Sequence, residues 1–411
     1  MHYVPRVLTQ TIRRAMSTFP AVLVTGARQT GKTTLLRTEF GDAYRYLSLE
    51  RPDVRARALA DPVAFLNEAG APLILDEIQY APALLHYIKD RIDADRSPGR
   101  WLMTGSQSFA LMHGVSQTLS GRIAVLTLDP LSTAEALERP AEPSLEAVLA
   151  RVFDSQSTSV SADATQAVDF ADWLLRGGFP EPRVNRQVDR QLWWASYVQT
   201  YLERDVRDLA QVADLGAFGR FLMLVGAHTG RIINMTELGR EVGVSGPTVK
   251  RWLSVLETSQ IVYLLQPYYR NFGKRIRKSP KLYLLDPGLA TFLLGLHTPE
   301  AVLQGPSLGA LAETAVVGEW VKACRQMGAQ PLLYYWQLST GAEVDLIIDR
   351  GGVLYGIEVK ATATPTPRHA DGLARWLELT GPGARGALAC RVEQPQALRP
   401  GIRAIPWHLA W

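Results

Sequence analysis

Gly26, Gly31, Lys32 and Thr33 stand in the stretch VLVTGARQTGKTTLL with the spacing G-x-x-x-x-G-K-[ST]. Glycines at those places let the backbone curl so that its N–H groups, with the first turn of a following helix, point at phosphate oxygens. A lysine beside them reaches the outer phosphates, and a threonine hydroxyl ligates Mg²⁺. The pattern predicts a cradle for ATP and Mg²⁺ formed by Gly26, Ala27, Arg28, Gln29, Thr30, Gly31, Lys32, Thr33 and Thr34. An ordinary glycine turn is the competing reading. Average residue usage gives a chance match odds on the order of one per cent in a chain this long, which disfavours it.

Such a loop needs acids to hold the metal and activate water. In APLILDEIQYAP an apolar strand ends in Asp76 and Glu77, with Asp76 expected to hold Mg²⁺ through water and Glu77 to act as general base. A third strand, GRWLMTGSQ, ends in Thr104, Ser106 and Gln107, which either orient the water and sense the terminal phosphate or form a plain turn. LSGRIAVLTLDPLS opens another strand with Arg122, read as an arginine for the transferred phosphoryl group, in cis or from a neighbouring subunit, or as a surface ion pair.

The elements that must position these residues follow from the same segments. AVLV reads as a buried strand and TTLLRTEF as a helix, so the first part of the chain is an α/β unit with a parallel sheet.

Together GARQTGKTTL, YLSLERPDVR, LILDEIQYAP, TGSQ and LSGRIAVLTLDPLS resemble AAA-type P-loop ATPases (AAA_14-like) of bacteria and archaea that carry a DUF4143 region behind the ATPase core. The distinguishing positions are Arg28 and Gln29 in the loop and Gln79 after the acidic pair. Glu50 stands where relatives often have Asp. The resemblance spans nearly the whole chain and implies ATP hydrolysis and a homo-oligomer, either a ring, with six subunits as one size, or something smaller.

After DPLSTAEALE, the stretch DSQSTSVSADAT reads as a linker, and QLWWASYVQTYLERDVRDLAQV as one long amphipathic helix with Trp193, Trp194 and Tyr197 in the core. Arg204 and Arg207 lie on its charged face, either as solvated surface or completing a neighbour's ATP site.

NMTELGREVGVSGPTVKRWLSVLETSQIVYLL has the layout of a helix-turn-helix capped by Ser245, with QIVYLLQPYY and KLYLLD flanking a wing. The wing RNFGKRIRKS concentrates Arg270, Lys274, Arg275, Arg277 and Lys278. Lys250 and Arg251 add cations on the second helix, and Tyr268, Tyr269 and Phe272 could stack on bases. The expectation is a winged helix on DNA; docking to protein is the alternative.

In LLYYWQLSTGAEVDLIIDRGGVLYGIEVKAT, Asp345 and Glu358 lie on two strands, and Lys360 shares the strand face of Glu358. With Glu313 upstream, the set resembles the PD-(D/E)xK nuclease core, where carboxylates hold Mg²⁺ or Mn²⁺. Such folds also persist as silent DNA-docking domains.

Composition bounds the rest. The chain has 411 residues, 47% of them hydrophobic and 20% charged, with formal charge +4, which describes a globular protein of about three domains and excludes disordered or fibrous classes. Two cysteines exclude a disulfide scaffold and fit a reducing cytoplasm. No segment reads as a signal peptide or membrane span. The expected domains are a P-loop ATPase over 1–140, a linker and helical segment over 141–210, a winged helix over 211–300 and a small α/β restriction-endonuclease-like domain over 301–411. The expected activity is ATP hydrolysis acting on DNA (remodelling, translocation or branch processing). The alternatives are an ATP-licensed metal-dependent nuclease and a nucleotide switch with a partner-docking C-terminus.

Overall fold

The computed structural model describes residues 2–105, 114–115, 117–154, 168–202, 214–269, 279–339 and 341–409, with no side-chain description at 201 and 202. Ser106, Gln107, Arg204, Arg207, Arg270, Phe272, Lys274, Arg275, Arg277 and Lys278 therefore lie outside the described residues.

The first sheet consists of β1 (Ala21–Thr25), β2 (Arg45–Ser48), β3 (Leu73–Asp76), β4 (Trp101–Thr104) and β5 (Ile123–Thr127), all parallel, in the order β2-β3-β4-β1-β5. Parallel pairing requires crossovers, and these cover both faces with helices, so β1, β3 and β4 are buried along their whole length. Side chains alternate accordingly: Leu23, Leu75 and Met103 enter one core, and Val22, Val24, Ile74 and Leu102 the other. Thr25, Asp76 and Thr104 finish their strands on one edge of the sheet, where ligands bind in open α/β folds.

Helices Leu145–Phe153, Phe170–Arg176, Pro180–Val184 and Arg190–Tyr197 follow. The expected long helix is interrupted: Arg190–Tyr197 passes into a π turn at Val198–Leu202, and its continuation lies outside the described residues. Its aromatic residues are packing groups as expected, with Trp194 and Tyr197 buried edge-on against Phe179.

Met235–Val242 and Gly246–Thr258 form the two expected helices, joined through Gly243 at φ 84° and capped where the Ser245 hydroxyl accepts from Thr248 N at 3.3 Å. They pack beside β6 (Arg231–Ile232), β7 (Val262–Pro267) and β8 (Lys281–Leu284).

The division expected at residue 300 does not separate two sheets. Strands β9 (Leu333–Gln337), β10 (Glu343–Arg350), β11 (Val353–Val359), β12 (Arg385–Cys390), β13 (Gln396–Arg399) and β14 (Ile402–Pro406) continue β6–β8 into one nine-stranded sheet. The joint is β7 on β9, Gln266 opposite Tyr334 and Pro267 opposite Tyr335, which pairs an edge that would otherwise expose unbonded backbone. One core runs from Phe218 and Trp252 through Trp320 to Ile357. Helix Leu308–Gln326, buried for most of its circumference, packs on β5, β8 and β11 and so joins the two sheets.

Candidate nucleotide site

The loop after β1 has the required backbone. Gly26 (φ 137°), Gln29 (φ 59°) and Gly31 (φ 94°) occupy the positive-φ half of conformational space, where a Cβ is costly except in tight turns. A Cβ on Gly26 would lie 2.2 Å from the Leu128 carbonyl oxygen, so this position takes glycine alone. Gly31 ends the loop and starts helix Lys32–Phe40, leaving first-turn N–H groups aimed at the cradle. Lys32 is 5% exposed, and its Nζ donates to the carbonyls of Gly26 at 3.1 Å and Ala27 at 2.8 Å.

Beneath the loop lies a residue that sequence reading missed. Buried Arg6 donates to Thr30 O at 2.8 Å, Asp129 O at 2.7 Å and Glu135 Oε1 at 3.1 Å. The buried Glu135 carboxylate also accepts from Val7 N and Ser132 N. The N-terminal arm, the phosphate loop and the segment after β5 are thereby tied together. MHYVPR carries no pattern that announces this.

Asp76 is buried and accepts from hydroxyls: at Oδ1 from Thr33 at 2.7 Å and Thr104 at 2.6 Å, at Oδ2 from Tyr46 at 2.8 Å and Ser48 at 3.4 Å. Burial, and then the hydrogen bond to Asp76, push the Tyr46 phenol up to about 12, so it remains a donor. Glu77 sits in the left-handed region at φ 59°, its N–H donating to the Thr104 hydroxyl at 2.9 Å and its carboxylate accepting from Gln79 Nε2. Thr104, expected to orient water or sense phosphate, uses its hydroxyl to tie Asp76 to Glu77. Gln79, singled out by the resemblance, acts on Glu77 directly.

Arg122 lies at the amino end of β5, beside the start of β1, whereas the phosphate loop leaves the other end of β1. It is paired with Asp93 through two bonds of 2.6 and 3.1 Å, the surface ion pair of the alternative reading. A role on its own subunit's phosphates is therefore corrected.

The residues present fit a nucleotide with its metal. A glycine cradle shaped by positive φ is followed by an aspartate with hydroxyl partners, and Thr33, hydrogen-bonded to that aspartate, stands at the first turn.

Beside the second sheet Glu313, on helix Leu308–Gln326, meets Asp345 of β10, Glu358 of β11 and Lys360 just after it, Glu358 Oε1 accepting from Lys360 Nζ at 2.5 Å and Asp345 Oδ2 from Val359 N at 2.8 Å. Burial, with Asp345 beside them, raises Glu313 and Glu358 above the usual carboxylate range. Unexpectedly, Lys281 from β8 enters this cluster. Among the described residues no group of three or more His, Cys, Asp or Glu is placed to hold a metal ion. Lys250 and Arg251 are exposed on helix Gly246–Thr258.

Three family descriptions match the chain: "AAA domain" over residues 18–137, "Domain of unknown function (DUF8612)" over 167–300 and "Domain of unknown function (DUF4143)" over 308–410. An uncharacterized protein of Mycobacterium tuberculosis is 32% identical over 356 residues, covering 86% of this chain and 73% of that protein. An uncharacterized protein of Haemophilus influenzae is 20% identical over 54% of this chain and 52% of its own length. Among solved structures, the Walker-type ATPase PABY2304 of Pyrococcus abyssi aligns at 14% identity and TM-score 0.39 over 70% of this chain and 94% of that one. The Thermotoga maritima RuvB Holliday junction branch migration motor aligns at 15% identity and TM-score 0.28 over 62% and 88%. At those scores the structural likenesses carry no argument.

Proposed function

We propose that this chain, which belongs to the family of bacterial proteins that join an AAA domain to a DUF4143 domain and is a P-loop ATPase of the AAA kind, couples ATP hydrolysis to DNA. The observation that carries the catalytic part is the 2.7 Å bond from Thr33 to Asp76. It sets the metal-ligand pair of two separate segments side by side at the edge where the glycine loop opens.

In this reading Thr33 and Asp76 hold Mg²⁺, which when bound neutralises charge on the β- and γ-phosphates. Lys32 exchanges the Gly26 and Ala27 carbonyls for phosphate oxygens. Glu77, oriented by Gln79 and by its own N–H on Thr104, removes a proton from the attacking water. Arg122 would act only on a neighbouring copy's nucleotide, so self-association is part of the proposal.

The DNA part is supported by the capped helix-turn-helix, by exposed Lys250 and Arg251 on its second helix, and by the arginine and lysine content of residues 270–278 in the sequence. Steady-state ATP turnover, alone and with single-stranded, duplex, forked and four-way-junction DNA, tests it against Glu77→Gln. Stimulation by one DNA form, weakened by Lys250→Ala/Arg251→Ala with a salt slope lower by about two, is expected. Equal slow turnover with every DNA would favour a nucleotide switch whose C-terminal half docks partners.

A further inference from the structure

The winged-helix strand β8 and the C-terminal carboxylates meet at one buried point. Lys281 Nζ lies 3.6 Å from Asp345 Oδ1, 3.7 Å from Glu313 Oε2 and 3.9 Å from Glu343 Oε2. The residue is 4% exposed, so its ammonium has these carboxylates in place of water. Its backbone is fixed on both sides, opposite Ile232 of β6 and Leu265 of β7. Tyr283, two residues along and hence on the same face, donates its hydroxyl to Glu313 Oε2 at 2.9 Å.

We infer that Lys281 is the resident cation of this cluster, standing where a nuclease-like site of the same layout takes a divalent metal. The cluster thereby clamps the winged-helix strands to the C-terminal strands and binds no metal as folded. A divalent ion needs carboxylate oxygens at about 2.0–2.6 Å, turned to a common centre. Here that centre is taken by an ammonium; Asp345 Oδ2 accepts from Val359 N and Glu358 Oε1 from Lys360, while the buried Glu358 Oε2 has no hydrogen-bond partner among the described residues. A metal entering beside the ammonium would meet a like charge in a dry pocket. Burial alone would lower the Lys281 pKa, but Glu313, Asp345, Glu343 and Glu358 together raise it, so the lysine stays charged. Cleavage of a phosphodiester by bound metal would require Lys281 to leave.

Mn²⁺ binding to the full chain without nucleotide, followed by electron paramagnetic resonance, tests this. Wild type and Asp345→Asn should titrate alike. Lys281→Met should gain one saturable Mn²⁺ equivalent, and adding Asp345→Asn should remove it. A wild-type equivalent that Asp345→Asn abolishes would overturn the inference, as would a folded Lys281→Met that gains none. If Lys281→Met does not fold, Lys281→Gln carries the same expectations, and the wild-type titration alone retains the power to refute. None of these readouts involves ATP, so their failure is separate from failure of the ATPase reading.

Discussion

At the carboxyl edge of the first sheet Asp76 is surrounded by the hydroxyls of Thr33, Tyr46, Ser48 and Thr104, whereas in the second sheet Asp345 faces the ammonium of Lys281. Both aspartates are buried near a strand end or strand face with a lysine in the neighbourhood. Hydroxyls solvate a carboxylate without cancelling its charge, so the Asp76 site keeps a demand for a cation from outside. Its lysine, Lys32, is parked on two backbone carbonyls, partial charges it can exchange for a phosphate. The second site meets its demand internally. One arrangement suits a ligand that comes and goes, the other a permanent joint.

The largest effect that would sharpen this contrast is on catalysis. Glu77→Gln should lower ATP turnover by about 10²- to 10⁴-fold while leaving ATP binding intact. Turnover at the wild-type rate would move the general base elsewhere and leave the acidic pair with only a metal-holding role. Next come the two lysines, whose deletions should have opposite signatures. Lys281→Met leaves a buried carboxylate cluster without its cation and should cost about 3–5 kcal/mol of stability in denaturant unfolding, with nucleotide affinity unchanged. Lys32→Ala, which leaves the Gly26 and Ala27 carbonyls without their donor, should cost less, about 1–3 kcal/mol of stability, but weaken nucleotide binding. Finding the large stability loss at Lys32 instead would break the comparison.

The same contrast explains what could be read from sequence. The phosphate loop is a local device: eight consecutive positions set its backbone, and Gly26 and Gly31 are there because of their φ values. Asp76 and Glu77 were legible because of their place, one helical unit and a strand after the loop; a strand ending in two acids is by itself more often a solvated edge. What supports them is not local. Arg6 and Glu135 join the loop from far along the chain, and Tyr46 reaches Asp76 from the next strand. Arg122 looked close to the chemistry in sequence, but in a parallel sheet the start of a strand lies at the opposite edge from its end. Lys281 was hidden because KLYLLD reads as an apolar wing strand, and it takes the β7–β9 pairing and the packing of helix Leu308–Gln326 on β8 to bring it to the carboxylates. That pairing is long-range, and nothing in either segment's alternation specifies it.

A third buried ionisable group, His408, lacks both kinds of partner and gives the smallest test. It packs edge-on against Trp407, and its Nδ1 has no hydrogen-bond partner among the described residues. Burial, followed by the positive charge of Arg139 and then Arg151, pushes it down to about 4. The unfolded chain takes up this proton below about 6.5 while the folded chain resists until near 4, so stability is complete above 6.5 and is lost as pH falls through that window. The loss should total up to about 3 kcal/mol, at most about 1.4 kcal/mol per pH unit. Carboxylates titrate over the same range, so the quantity to measure is the difference between wild type and His408→Gln in denaturant unfolding at several pH values. That difference should shrink toward acid pH as the wild type loses the advantage of its neutral ring. A constant difference would mean that His408 accepts its proton in the folded chain, and that burial beside Arg139 and Arg151 does not suffice to hold a charge out of this core.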